Sequence, residues 1–233
     1  MRSFVGIAYI VVAALVVFGC AEDSNKTAEQ PPLQQMEAPT PRVVDTSNHA
    51  SADTAVITHV GVLATSMGTI TIGFYGIDAP RAVNTIVALA AKRFYNGILV
   101  HRVARDLLIQ MGDPKTKEAS ARAEWGRGGQ TADGKPLPDE LDSTKPSAQT
   151  GYQPGVVAMA HKPTPNSATS QFFICNTNAR AIPYQYTIVG RVLDGMEVVA
   201  KINSVDVEPG SFGDTDGLPK KPIIIKSFNI KPL

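Results

Sequence analysis

The sequence predicts an all-β domain carrying two helices, with antiparallel strands closed into a barrel that the helices cap. Three observations carry this expectation. Short apolar segments with period-two alternation recur from residue 56 onward, the clearest being T-I-T-I-G-F-Y at 69–75, as strands with one buried face require. Only two segments, beginning near Asp78 and Asp194, place apolar residues at helical spacing. The stretch 115–152 is rich in Gly, Pro, Lys, Asp and Ser, which suits long surface loops with little regular structure. Closure is the simplest way for antiparallel strands to lose their edges, and a two-sheet sandwich is the arrangement these patterns leave open.

The chain begins with Arg2, an uncharged run over 4–21 and the sequence V-F-G-C ending at Cys20. A positive start followed by an apolar core is the pattern of an export signal. The V-F-G-C ending resembles the lipobox of bacterial lipoproteins, so residues 1–20 are read as a lipoprotein signal with lipidation at Cys20. An uncleaved membrane anchor and an ordinary secretory signal are the alternatives, the run being near the short limit for a spanning helix. All three place the rest of the chain outside the cytoplasm. The preferred one ties it by lipid to a bacterial membrane, facing the periplasm if the cell is Gram-negative. Residues 21–55 turn to Glu, Gln, Asn, Ser, Thr and Pro. Such a segment buries too little apolar surface to offset its ordering entropy, and a disordered linker is expected.

The globular domain is expected over 56–233. Its first elements are strands at 55–63 and 68–75, joined by the turn T-S-M-G. Asp78, Ala79 and Pro80 read as a helix start, with Val83, Ile86, Val87 and Ala90 on one face and an end by Gly97. Then V-H-R-V-A-R-D-L-L-I-Q-M-G-D-P, at 100–114, reads as two strands around a bend. Buried strands are expected at 155–160 and 170–175, another strand at 186–192, a helix at 194–203 with Met196, Val199 and Ile202 inward, and a last strand at 223–230. G-R-G-G at 126–129 lacks the helix start and Lys-Thr pair that a phosphate cradle needs. D-T-D-G at 214–217 lacks the later ligands of a calcium loop and is read as a turn.

A formal net charge of +1 gives no long-range attraction for a polyanion, so no nucleic acid partner is expected. Cys20 and Cys175 are the only cysteines, too few for a disulfide framework and unclustered for zinc. No metal is expected. In S-Q-F-F-I-C, alternation sends Phe172 and Phe173 to opposite faces, so one of them must leave the barrel interior. Within 100–114, Arg102 and Gln110 stand in largely apolar company. Taken alone, Arg102 reads as a surface cation on a strand, Phe173 and Leu108 as core, His101 as a structural side chain and Cys175 as a small buried apolar residue.

V-H-R-V followed by L-L-I-Q-M-G-D-P is similar to the F-H-R-V and F-M-I-Q-G-G-D-P signature of cyclophilins, the cyclosporin-binding class of peptidyl-prolyl isomerases. Agreement continues through V-L-A-T-S-M-G-T-I-T-I-G-F-Y, P-G-V-V-A-M-A, N-S-A-T-S-Q-F-F-I and Y-T-I-V-G-R-V-L-D-G-M-E-V-V-A-K-I. The likeness runs from about residue 60 to residue 230, in order. It implies a closed eight-stranded antiparallel β-barrel capped by two helices, with an active-site groove on its outer face. It also implies isomerisation of X-Pro bonds in proline-containing polypeptides; with the export signal these are expected to be exported or envelope proteins, and the chain is expected to be a monomer. A Pro-peptide-binding chaperone or scaffold module with little or no catalysis is the alternative. By the resemblance Arg102 and Gln110 are catalytic, and Leu107, Leu108, Ala160, His161, Gln171, Phe173, Ile182 and Tyr186 bind substrate.

The reaction suits these residue types. Rotation about an X-Pro bond must break amide resonance, a barrier of about 18–20 kcal/mol. No bond is made or broken, so neither nucleophile, base, metal nor cofactor is required, only a groove complementary to the twisted amide. In the twisted state the prolyl nitrogen regains a lone pair. A guanidinium aimed at that nitrogen stabilises it there and far less in the planar ground state. Such a bond contributes about 1.5–3 kcal/mol, roughly one to two orders of magnitude in rate.

Departures from the family pattern are specific. Counting from Phe173, the family's tryptophan position falls on Ala181 and its histidine position on Tyr186. Phe and Met of the proline pocket become Leu107 and Leu108, and the loop 162–169 is one residue longer, offsetting His161 from the family's asparagine. The expected cup is shallower and less aromatic, with reduced activity and weak cyclosporin binding.

Overall fold

In the computed structural model, which describes residues 54–210 and 213–233, the period-two segments become antiparallel strands of one ten-stranded sheet. The expected signal segment, its lipidation site Cys20 and the linker through residue 53 lie outside the described residues. The strands are β1 His59–Thr65, β2 Gly68–Phe74, β3 Val100–Ala104, β4 Leu108–Met111, β5 Val156–Met159, β6 Phe172–Cys175, β7 Ile188–Asp194, β8 Val207–Gly210, β9 Gly213–Pro219 and β10 Ile225–Pro232. Their order is β10-β1-β2-β7-β5-β6-β4-β3-β9-β8. The first hairpin turns at Ser66 and Met67, where the Thr65 hydroxyl donates to the Gly68 carbonyl at 2.8 Å. The expected start of β1 at Ala55 moves to His59, and the last strand begins at Ile225 rather than Ile223.

The sheet does not close into the expected eight-stranded barrel. Where a closing ladder would stand, Leu99 and Ile224 form one isolated bridge, backed by Val100 N–H to Ile223 O at 2.9 Å. The physical reason is occupancy of an edge. β9 pairs with β3 through Val103–Gly217 and Ala104–Asp216, and β8 covers the far side of β9. D-T-D-G is therefore not the expected turn but the middle of β9.

Helix α1 spans Pro80–Ala91 and buries Val83, Ile86 and Leu89. Asp78 does not cap it. The first N–H groups, of Arg81 and Ala82, donate instead to the Glu140 carboxylate at 3.1 and 3.0 Å, an anion where the helix dipole favours one. Asp78 accepts from Ser147 N–H at 2.9 Å. Ser147 lies on α2, Pro146–Thr150, a short helix in the stretch expected to be loops, which also holds 3-10 turns at Pro114–Lys117 and Ala119–Glu124. Helix α3, Met196–Asn203, buries Val198, Val199 and Ile202.

Apolar residues gather on both faces of the sheet. The larger cluster includes Phe172, Tyr95, Ile109, Phe228 and the buried faces of α1 and α3. The smaller holds Phe173, Leu108, Ala158, Tyr152, Cys175 and Ile188. Phe172 and Phe173 thus take opposite faces, as alternation requires. Cys175 is fully buried, and burial pushes its thiol up to about 12.

Candidate active site

Strand register builds the site. Arg102 on β3 lies opposite Gln110 on β4, Gln110 opposite Phe173 on β6, and Phe173 opposite Ala158 on β5. Residues directly opposite share a face, so the four form one row across the sheet. The register slips between Val100 and Arg102, making His101 an extra residue. Such a bulge re-aims the residue beside it. His101 itself is buried, and burial pulls its pKa down to about 4 against the opposing pull of Asp113, so it is neutral at pH 7.

A chain of polar contacts runs along one side of this row. Asp216 accepts from Arg102 Nε at 2.8 Å and from Nη2 at 2.7 Å. Arg102 Nη1 points to Gln110 Oε1 at a long 3.4 Å. Gln110 Nε2 donates to Gln171 Oε1 at 2.8 Å, and Gln171 Nε2 donates to the carbonyls of Gly126 and Gly128 at 2.9 and 2.6 Å. The N–H groups of the same two glycines donate to the buried Asp113 carboxylate at 2.6 and 3.0 Å. A Cβ at residue 128 would run into that carboxylate. G-R-G-G is thus a loop gripped by its own backbone groups from two sides, and it walls the site.

The opposite side is apolar. Leu107, Leu108, Ala160, Phe173, Ala181, Ile182, Pro183 and Tyr186 surround a cavity of about 500 Å³, into which Arg102, Gln110, His161 and Gln185 also face. Tyr186 meets Phe173 edge to face, ring centroids 5.5 Å apart. Tyr152 holds Tyr186 in place: its hydroxyl donates to Tyr186 O at 2.9 Å and accepts Tyr186 N–H at 2.8 Å. His161 lies over the Tyr186 ring, centroids 4.5 Å apart, with Nε2 2.8 Å from Gln185 O.

Nine of the sequence-predicted site residues therefore border this one cavity: Arg102, Leu107, Leu108, Gln110, Ala160, His161, Phe173, Ile182 and Tyr186. Gln171 lines an adjoining cavity of about 470 Å³ with Gln110, Gly126, Arg127 and Gly128. Sequence reasoning missed Asp216, Asp113, Tyr152 and Pro183. Only Asp113 carried a local signal for this site, as the acid before the final proline of the I-Q-M-G-D-P motif. The shallow cup expected from Leu107 and Leu108 retains an aromatic wall in Phe173 and Tyr186.

Comparison with known proteins places the chain in a family. Residues 60–230 match the family described as cyclophilin type peptidyl-prolyl cis-trans isomerase/CLD. The chain belongs to the cyclophilin-type peptidyl-prolyl cis-trans isomerases. This cyclophilin is 32% identical over 194 residues to a peptidyl-prolyl cis-trans isomerase of Acinetobacter baylyi, covering 80% of this chain and 90% of the relative. It is 35% identical over 146 residues to peptidyl-prolyl cis-trans isomerase 10 of Caenorhabditis elegans, covering 63% of this chain and 83% of the relative. Its fold is similar to that of a Cryptosporidium parvum cyclophilin solved in the presence of the dipeptide Ala-Pro, with a TM-score of 0.62, 25% identity, and coverage of 74% of this chain and 98% of that one. The cyclophilin described here is accordingly an enzyme of the peptidyl-prolyl isomerase class.

Proposed function

We propose that the chain isomerises X-Pro bonds of exported or envelope proteins from a membrane to which lipid on Cys20 ties it, and that Arg102 stabilises the twisted amide. The observation that carries the catalytic part is the row Arg102–Gln110–Phe173 facing one cavity, charge at one end and an aromatic floor at the other. A proline ring seated against Phe173, Leu108 and Ile182 puts its nitrogen on the Arg102 side. As the amide twists, the nitrogen becomes a hydrogen-bond acceptor, and Arg102 Nη1 turns from its long contact with Gln110 toward it. Gln110, held by its bond to Gln171 and keeping a second amide hydrogen, then offers its side-chain amide to the peptide backbone on the same side. The apolar wall removes water from the amide, which strengthens the new bond and favours the less polar twisted form. The dipeptide present in the related solved structure supports proline-containing clients.

Isomerisation of a Xaa-Pro peptide, followed by exchange spectroscopy without a coupled protease, tests this. Arg102→Ala is expected to lower kcat/KM by one to two orders of magnitude. A variant as fast as wild type would remove Arg102 from the mechanism. A wild-type chain that binds the peptide yet shows only the uncatalysed rate would convert the enzyme into a binding module. For the anchor, cells fed labelled palmitate are expected to label the wild-type chain and not Cys20→Ala, and equal labelling would refute lipidation there.

A further inference from the structure

We infer that Asp216 is a positioning residue for isomerisation: its carboxylate grips Arg102 from behind and aims the guanidinium into the proline cavity. This rests on the catalytic reading of Arg102. The pair is bidentate, with Nε to Oδ1 at 2.8 Å and Nη2 to Oδ2 at 2.7 Å, the planar fork-to-fork geometry that fixes direction as well as distance. It is shielded from water unevenly, the Arg102 side chain being 30% exposed and that of Asp216 only 13%. Of the three guanidinium nitrogens, the carboxylate engages two, and the third is turned to Gln110, which with Arg102 lines the cavity.

The fork is set by backbone register rather than by side-chain reach. Asp216 lies opposite Ala104, two residues along β3 from Arg102. Arg105 N–H donates to Thr215 O at 2.9 Å, just beyond the last pair of that ladder. At Gly217, next in β9, a Cβ would collide with Glu208 O of β8, so β8 and β9 pack with no slack at this point. A one-residue slip of β9 would send the carboxylate to the other face. Glu208 of β8 in turn pairs with Arg122 at 2.6 Å, tying the hairpin to the 3-10 turn at Ala119–Glu124. The ladder that replaces barrel closure on β3 is therefore the device that delivers the carboxylate.

Two effects oppose each other here. The carboxylate offsets part of the guanidinium charge, which weakens its donors, and it removes rotamer freedom from a side chain that otherwise loses it on meeting substrate. For a reaction whose transition state offers a single lone pair as acceptor, orientation decides the rate. Positioning is therefore the dominant effect, and losing the carboxylate slows the enzyme.

The test compares Asp216→Ala, Asp216→Asn and Asp216→Glu in the wild-type and Arg102→Ala backgrounds of the full chain, by exchange spectroscopy over a range of Xaa-Pro peptide concentration. In the wild-type background Asp216→Ala is expected to lower kcat about tenfold with KM within about twofold, a change of about 1.4 kcal/mol. Asp216→Asn, which keeps the shape and one acceptor, is expected to fall between, and Asp216→Glu to restore part of the loss. In the Arg102→Ala background the same substitutions are expected to change nothing further. The Arg102 Nε–H proton is expected to exchange with water faster in Asp216→Ala, with the rest of the amide spectrum retained. A kcat equal to or above wild type in Asp216→Asn overturns the inference, as does an equal loss in both backgrounds. Wild-type activity in Arg102→Ala alone would instead overturn the catalytic reading of Arg102.

Discussion

Phe172 and Phe173 are neighbours in sequence, both on β6, and both nearly inaccessible at 1% and 3% exposure, yet they belong to different machines. Phe172 packs against Tyr95 and Phe228, ring centroids 5.8 and 6.0 Å away, in the cluster held between the sheet, α1 and α3. Phe173 meets Tyr152 and Tyr186, at 6.1 and 5.5 Å, and forms the floor of the cavity. The difference teaches that burial does not by itself mark an aromatic ring as core. What separates them is the company on the far side: packed strands and helices for one, a cavity bordered by loops for the other.

The largest effect that would test this comparison is on Phe172. Phe172→Ala is expected to cost about 3–5 kcal/mol of stability by leaving a cavity among rigid neighbours. Phe173→Ala is expected to cost clearly less, because its void merges with an existing cavity, while lowering kcat/KM. Equal losses of stability in urea unfolding would erase the distinction.

Acid sensitivity is next in size. His101 has a folded-state pKa of about 4, set mainly by burial, below its ordinary value of about 6.5. The unfolded chain takes up this proton first as pH falls, so stability is complete above about pH 6.5 and is lost as pH drops toward 4, by about 3 kcal/mol in all. Below pH 4 the loss stops growing. Unfolding midpoints at pH 7, 5.5 and 4 measure it, and His101→Gln is expected to flatten the dependence. Because His101 is the extra residue at the bulge beside Arg102, an unchanged slope in that variant would remove its burial as the cause.

On the cavity side, Ala181→Trp is expected to tighten cyclosporin binding at least tenfold by supplying an indole N–H donor and a ring at the rim of the cup. Calorimetry reads this, and submicromolar binding by the wild-type chain would refute the weak binding expected of it. Smallest is Tyr152→Phe. It removes the hydroxyl that both donates to and accepts from the Tyr186 backbone, costing about 1 kcal/mol and raising KM as the Tyr186 wall loosens. A KM unchanged from wild type would show that the wall is held by ring packing alone.

The site residues were legible through the motifs that resemble the family's, and part of their facing through strand periodicity, which is local information. The spacing of Arg102 and Gln110 about the bend, and the split of Phe172 from Phe173, follow from alternation along single strands. The helices were legible for the same reason, α1 and α3 showing their buried faces at helical spacing. The D-T-D-G segment was misread because its two acids, threonine and glycine carry no apolar alternation to betray a strand. It becomes β9 only because β3 offers it an edge. Asp78 was misread for a related reason: a local capping signal lost to Glu140, which supplies the same negative charge from 59 residues away.

By itself, the sequence determined which residues face which side of the strands and helices whose apolar periodicity it shows, and so which of their side chains could share a surface. The tertiary structure alone decided that the sheet ends in a β8–β9 hairpin instead of closing, that Asp216 reaches Arg102 across 114 residues of chain, and that Asp113 and Gln171 hold one glycine loop between them. The physical reason is that side-chain periodicity is written in neighbouring residues, whereas the pairing of edges depends on which distant strand arrives with a matching register, and a single slip of one residue would exchange every contact on that edge for its opposite.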